Sequence, residues 1–464
     1  MKLFKKDRVF YSNVLSLAIP IAFQSAITVG VNMLDNYMVS NVSQDSLSAV
    51  SLANTFISIF QIFCMGLGMG ASVLVSRYWG MMKKNDHYEE SSHALKQTIC
   101  LMLRLTLLFA AIFAAITYLA PDKIMRSYSD EENIINEGIA YFKYSVVTYF
   151  FVGVSMVSAI VLRSVGQARI PLFISILALL INLLGNYMFI FGNLGMPRLG
   201  VSGAALGTLI SRIVEFTIIL IYIFKIDKKI QFKVKHLFMN VRSILGEYIN
   251  ICIPVLVSDA ILAFGNNSVA MVIGHLGGNF VAANAITANT QQLSTVVIQG
   301  VSQAGAIVTG QTLGMGQKEK TMEQGYLFLG LGLALGYISA WFIMISHIFV
   351  IDKFNPEPEA FYIAAQLMMA ISIILIFQAA NSIMTKGVLR GGGDTKMLML
   401  ADNIFLWIFA LPLGIVTGFV LHLPPFFIYL SLKSDQILKT IWCVFRLKSG
   451  KWIKKIGTGK ESNT

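Results

Sequence analysis

Apolar residues in this chain come in runs too continuous for a half-buried strand and too long for the stripe of an amphipathic surface helix. Twelve runs stand out, at 14–39, 47–76, 97–120, 138–162, 170–192, 201–224, 248–274, 281–313, 324–350, 360–385, 397–420 and 424–445. Each reaches the roughly 20 residues that a helix needs to cross a bilayer core. The last is interrupted by Lys433, Asp435 and Lys439. The breaks between runs carry turn chemistry: GNLGMPRLG at 192–200, HLGGN at 275–279, NPEP at 355–358 and HLPP at 422–425. The pattern predicts an all-α membrane protein of twelve transmembrane helices.

Composition agrees. Of 464 residues, 56% are hydrophobic and 13% charged, against about 25% charged in soluble domains. That excludes a soluble enzyme, a disordered chain and a collagen-like one. The net charge of +12 raises nucleic acid as a partner, but Lys and Arg fall in short clusters between apolar runs, so none is expected. With a cytoplasmic N-terminus, 27 Lys and Arg lie on inside segments and 4 on outside loops: Lys123, Arg126, Arg198 and Lys353. One miscounted helix would exchange the sides and spoil this bias. The expectation is a multi-pass protein of the plasma (inner) membrane with both termini cytoplasmic. The opening MKLFKKDRVF is like a signal peptide, but no small-residue cleavage site follows, so it reads as the lead into the first helix. Cys64, Cys100, Cys252 and Cys443 lie in apolar runs without CxxC or Cys/His spacing, so no disulfide or zinc site is expected.

The chain repeats itself. Ala18-Ile19-Pro20 returns as Cys252-Ile253-Pro254, SLSAVSLANT (46–55) as VAANAITANT (281–290), and VLRSVGQAR (161–169) as VLRGGGDTK (388–396). The offsets are 234, 235 and 227. Six helices per half keep the same orientation, a parallel repeat about an axis along the membrane normal. The expected organisation is an N-terminal lobe at 1–225, a basic linker at 226–246, and a C-terminal lobe with a basic tail at 247–464.

These segments carry a resemblance. The stretches VNMLDNYMVSNVSQDSLSAVSLAN (31–54) and INLLGNYMFIFGNLGMPRLGVSGAALGTLISRIVE (181–215), both VLR-x-x-G copies and GFVLHLPPFFIYLSLKSDQILK (418–439) resemble the multidrug and toxic compound extrusion (MATE) transporters of the bacterial, Gram-positive type, over essentially the whole length. The resemblance implies two six-helix lobes forming a V, and drug export driven by sodium or proton entry.

An ionisable side chain inside a span costs roughly 2.5 kcal/mol or more, so each needs a reason. Asp35 sits near the outer end of the first helix, on the order of 9 Å below the surface by helix rise. Asn186 lies at matching depth on the fifth helix, with Asn182 one turn deeper on the same face. An acid and two amides can ligate a hard cation such as Na⁺, or hold a carboxyl group that takes up a proton. Two amides alone could equally be interhelical glue; the acid favours function. The resemblance also implies that these three form the cation-coupling site. Asp35 has no twin: its repeat mate is Val269, and those of Asn182 and Asn186 are Phe409 and Leu413. In the second half, Asp259 and Asp402 either line a substrate cavity or pair with a basic residue. The family's acid position on the tenth helix is Ala379 here, with Asn381 nearby, and the acid that the archaeal proton-coupled branch often has is here Asn186.

Further candidates for a pocket accepting apolar cations are Gln24, Met33, Tyr37, Met65, Met69 and Met271, from side chains suited to it; ordinary packing would use the same residues. Arg212 and Glu215, at i, i+3, are expected to pair, and Arg104 to snorkel to the interface. GLGMGAS (66–72) and GVSGAALG (200–207) should allow close helix packing. Without G-x-x-x-x-G-K-[ST], H-E-x-x-H or G-x-S-x-G the chain is expected to be no enzyme and to need no cofactor beyond a coupling ion, Na⁺ or H⁺. The function expected is secondary antiport of amphipathic, cationic compounds by alternating access, from a monomer. Two rivals are a lipid-linked oligosaccharide flippase of the same superfamily, which would want free cavity cations for a diphosphate, and a non-transporting receptor or scaffold, which would not need Asp35 matched in depth with two amides.

Overall fold

The computed structural model describes residues 8–84, 87–354 and 356–454. Lys2, Lys5, Lys6, Lys455 and Lys460, counted among the inside charges, and Asn355 of the NPEP turn lie outside them. Each of the first eleven predicted runs is helical, and the twelfth forms two shorter helices. The first half holds α1 (Arg8–Ser40), α2 (Gln44–Lys84), α3 (Tyr88–Leu119), α4 (Glu132–Ser164), α5 (Arg169–Phe189) and α6 (Val201–Ile221). The second holds α7 (Arg242–His275), α8 (Gly278–Gly314), α9 (Lys318–Phe354), α10 (Pro358–Leu389), α11 (Thr395–Val420) and α12. The twelfth breaks at Lys433 into Pro425–Leu432 and Asp435–Lys448. Among the described residues ten helices are long and apolar enough to cross a membrane; the other two of the twelve are α6, with Arg212 and Glu215 inside it, and the broken α12. A helix satisfies its backbone within its own segment, which lipid demands.

The recurring sequence motifs have local structural causes. VLR-x-x-G ends a helix in both halves, and its glycine takes the left-handed conformation each time: φ is +81° at Gly166 and +90° at Gly393. The Gly166 amide then donates to the Arg163 carbonyl and the Gln167 amide to that of Leu162, at 2.9 and 2.8 Å. Gly393 and Asp394 repeat the pair onto Arg390 and Leu389, at 2.9 and 3.2 Å. This double closure satisfies the last helical carbonyls, and a side chain at the glycine would strain it. The two prolines are equivalent as well, each twelve residues into its helix: Pro20 in α1 and Pro254 in α7. A proline inside a helix removes one backbone hydrogen bond and favours a bend.

The chain divides into two compact units. One comprises 23–75 and 87–252; the other comprises 1–22, 76–86 and 253–464. The chain passes between them within two residues of each of those prolines. In the first unit a buried apolar cluster gathers Met38, Val50, Met125, Phe142 and Ile190. There α5 and α6 cross at glycines: a Cβ on Gly185 would stand 3.0 Å from the Cα of Gly207. The second unit has its own cluster, with Val269, Ile343, Leu367, Ile371 and Tyr429.

Arg104 has a protein partner. Its guanidinium donates to the carbonyls of Leu237 and Met239, in the segment between α6 and α7.

Candidate functional site

In the first unit the polar residues of α1 and α5 meet. The Asn186 amide nitrogen donates to a carboxylate oxygen of Asp35 at 2.5 Å. Asn186 is 1% exposed and Asn182 4%. The Asn182 side-chain amide donates to the Thr208 hydroxyl on α6 at 3.3 Å and lies within reach of the same carboxylate. The pair depends on a local packing device. The Asn186 amide oxygen lies against Gly207, where any Cβ would stand 2.6 Å from it. That oxygen is buried and has no hydrogen-bond partner. A carboxylate and an unpartnered amide oxygen are thus held together in a low-dielectric setting, where an added proton or hard cation would be strongly favoured.

Around this pair stand further groups, of which the sequence pattern marked only Arg212. Tyr141 on α4 donates its hydroxyl to Asn54 at 3.3 Å, and both Tyr141 and Arg212 lie within electrostatic reach of Asp35. Arg212 is taken by Glu215, at 2.6 Å, as their spacing predicted. Among the described residues Asp35 makes no ion pair, and the side chain that donates to it is the neutral amide of Asn186. Thr208 and Tyr141 are ordinary members of apolar helices, and only contact across helices could single them out.

The acids of the second unit have different surroundings. Asp259 pairs with Arg390, the arginine of the second VLR copy, at 3.3 Å. Asp402 accepts from Lys439 at 3.3 Å and from the Ser258 hydroxyl at 2.7 Å. Lys439 also reaches Asp435, one helical turn before it, at 3.1 Å. Asn381 donates to Gln436, which donates to Asp435, at 2.8 and 2.6 Å. Asp435 and Lys439, two of the three charges that interrupt the twelfth run, therefore belong to a buried network, and their i, i+4 spacing was the available signal. Asp259 remains the most open of these acids, its side chain 20% exposed against 9% for Asp402 and 4% for Asp435.

The remaining pocket candidates differ in their surroundings. Gln24 donates to Ser175 on α5 at 3.0 Å. Met33, Tyr37 and Met65 present exposed side chains, whereas Met69 is buried. Met271 lines an apolar recess of about 490 Å³ with Trp407 and Phe419.

Comparison with known proteins places this arrangement. The MatE family model matches residues 20–188 and again 254–420, starting points 234 residues apart, as in the internal repeat. A probable multidrug resistance protein NorM from Thermotoga maritima is 25% identical over 444 residues, covering 95% of this chain and 93% of that protein. An uncharacterised transporter, YisQ, from Bacillus subtilis is 24% identical over 97% of this chain and 96% of its own length. Among solved structures, a MATE protein crystallised in a bent conformation superposes with a TM-score of 0.85 at 20% identity, covering 97% of this chain and 98% of its own. A MOP-superfamily transporter from Pyrococcus furiosus, described as having a binding pocket of reverse polarity, gives 0.82 at 22% identity over 95% and 96% of the two chains. With the family model matched in both halves, this chain belongs to the MatE family and is a twelve-helix membrane transporter of the MATE multidrug-efflux kind, not an enzyme.

Proposed function

We propose that the protein is an antiporter that exports amphipathic, cationic compounds in exchange for Na⁺ or H⁺, with Asp35 as the coupling carboxylate. The observation that carries the reading is the Asp35–Asn186 pair. It is an acid inside an apolar helix, and among the described residues no cation forms an ion pair with it. An acid in lipid is costly unless it pairs or takes up a cation. Here an entering ion supplies what the fold leaves out. Proton uptake neutralises Asp35 directly. For Na⁺, rotation of the Asn186 amide would turn its unpartnered oxygen toward the carboxylate, and Asn182 and Thr208 offer further oxygens. Ion and drug then compete because each stabilises a different arrangement of the same helices. In this proposal Asp259, the most open acid of the second unit, recognises the positive charge of the drug and exchanges its Arg390 partner for it.

The same reading places both termini and the 226–246 linker in the cytoplasm, with the lobes at 1–225 and 247–464 as the transport repeats. The flippase alternative is less favoured: Arg212, Arg390 and Lys439 are all ion-paired, so none of the three is open to a diphosphate. The test is efflux of a cationic dye from vesicles with sodium and proton gradients imposed separately. One gradient should drive efflux and the other should not, and efflux that ignores both would end the antiport reading.

A further inference from the structure

After a π-helical turn at Tyr222–Ile226 that extends α6, the segment leading to α7 is irregular apart from one short turn, Val234–Phe238, and it is bound along α3. Arg104 donates to the Leu237 carbonyl at 2.7 and 3.0 Å and to that of Met239 at 3.0 Å. The Cys100 thiol donates to Leu237 at 3.3 Å, and the Gln97 amide to the Asn240 carbonyl at 2.5 Å. Gln97, Cys100 and Arg104 stand on one stripe of α3, by helical spacing. The stripe continues through Leu107, Leu108, Ile112 and Ile116, all exposed. In a membrane helix such an exposed apolar stripe faces lipid. The linker therefore lies across one end of a lipid-facing stripe.

Depth sharpens the point. Arg104 is 15 residues from Leu119, about 22 Å along a helix, whereas the hydrocarbon core is about 30 Å thick. Non-helical carbonyls at such a level need protein donors, and α3 supplies three. With its backbone bound inward, the linker turns other side chains out. Phe238 is 83% exposed and Val234 58%, with Lys233 and Lys235 exposed beside them. His93 and Lys96 continue the α3 stripe past Gln97. Burial, with the charges of Lys96, Lys235, Lys233 and His93, pushes the His236 imidazole down from its usual range. The basic groups thus crowd one another, as they do where an anion is to be bound.

We infer that this linker is an interfacial lipid site, in which Phe238 and Val234 enter the acyl-chain boundary while Lys96, Lys233 and Lys235 bind the phosphate of an anionic phospholipid. Apolar side chains next to lysines at this depth match the two layers of a leaflet, and a free anion would use only the lysines. Each lysine near an anionic surface should strengthen lipid retention about fivefold.

The test uses the full chain in vesicles containing phosphatidylglycerol. Nitroxides placed through Phe238→Cys and, separately, Lys235→Cys report depth by collision with oxygen and with a water-soluble nickel chelate; the unsubstituted chain gives the background. Position 238 should be oxygen-accessible and position 235 should read at headgroup level. Nickel access at 238 equal to that of a soluble loop would overturn the inference. In parallel, phosphatidylglycerol retained by the purified protein is counted by native mass spectrometry. The triple variant Lys96→Gln, Lys233→Gln, Lys235→Gln should lose it, and Phe238→Ser should weaken it. Retention unchanged in both, or full displacement by millimolar inorganic phosphate, would refute a lipid site, the latter identifying a free-anion site instead.

Discussion

The polar clusters of the two units show how one repeated architecture supports two kinds of chemistry. In the first, Asp35 is met by a neutral amide and makes no ion pair among the described residues. In the second, Asp259, Asp402 and Asp435 are each held by an arginine or lysine of the same unit. Lys439 is 3% exposed and anchored one turn from Asp435, so it cannot diffuse away. A tethered counter-charge fixes an arrangement, whereas a missing one must be supplied by solution and can therefore be exchanged. The repeat mates agree with this division: Val269, opposite Asp35, is packed in an apolar core cluster, while Phe409 and Leu413, opposite the two amides, are exposed apolar side chains.

The largest effect should come from removing the exchangeable charge. Asp35→Asn keeps the volume and removes the titratable group, so gradient-driven efflux should fall to background with insertion and expression intact. Full coupled export by this variant, at matched expression, would move the coupling role away from the first unit. Next is the tethered charge. Lys439→Met leaves Asp402 and Asp435 without their ammonium, and breaking a buried pair this way costs about 3–5 kcal/mol. Thermal unfolding in detergent should drop strongly and recover when Asp402→Asn and Asp435→Asn are added. A melting temperature unmoved by Lys439→Met would mean that the network does not stabilise the unit.

A smaller, selective effect is expected at Asp259. Asp259→Asn should lower export of cationic substrates severalfold while neutral substrates pass at nearly the parent rate; an equal loss for both would assign Asp259 to structure. The amides should come last. Asn186→Ala removes a hydrogen bond to a charged group, worth about 1.5–3 kcal/mol, and Asn182→Ala one to a hydroxyl, worth about 1 kcal/mol. The concentration of ion that half-activates transport should rise in that order, and the reverse order would show that Asn182, not Asn186, is the principal partner of Asp35.

Much of this was legible in the residues. The length and spacing of the apolar runs give twelve helices because a bilayer admits few alternatives to a helix of about 20 residues. The VLR-x-x-G copies announce two helix ends because a left-handed cap needs its glycine, and both ends form as written. Asp35, Asn182 and Asn186 could be selected because polarity inside lipid is rare, and Arg212–Glu215 because three residues separate neighbours on a helix. What the sequence could not decide was which partner each charge takes across helices. Asp402 might have faced an open cavity, but α12 brings Lys439 to it from 37 residues away. Nothing along the chain pairs Arg104 with the carbonyls of Leu237 and Met239, more than 130 residues away. Thr208 and Tyr141 gain their places beside the acid only when α4, α5 and α6 pack, with Gly207 leaving room for the Asn186 oxygen. Local rules act over one or two helical turns and can be read along the chain. The counter-charge of a buried acid depends on distances between helices, and those are fixed only by tertiary packing.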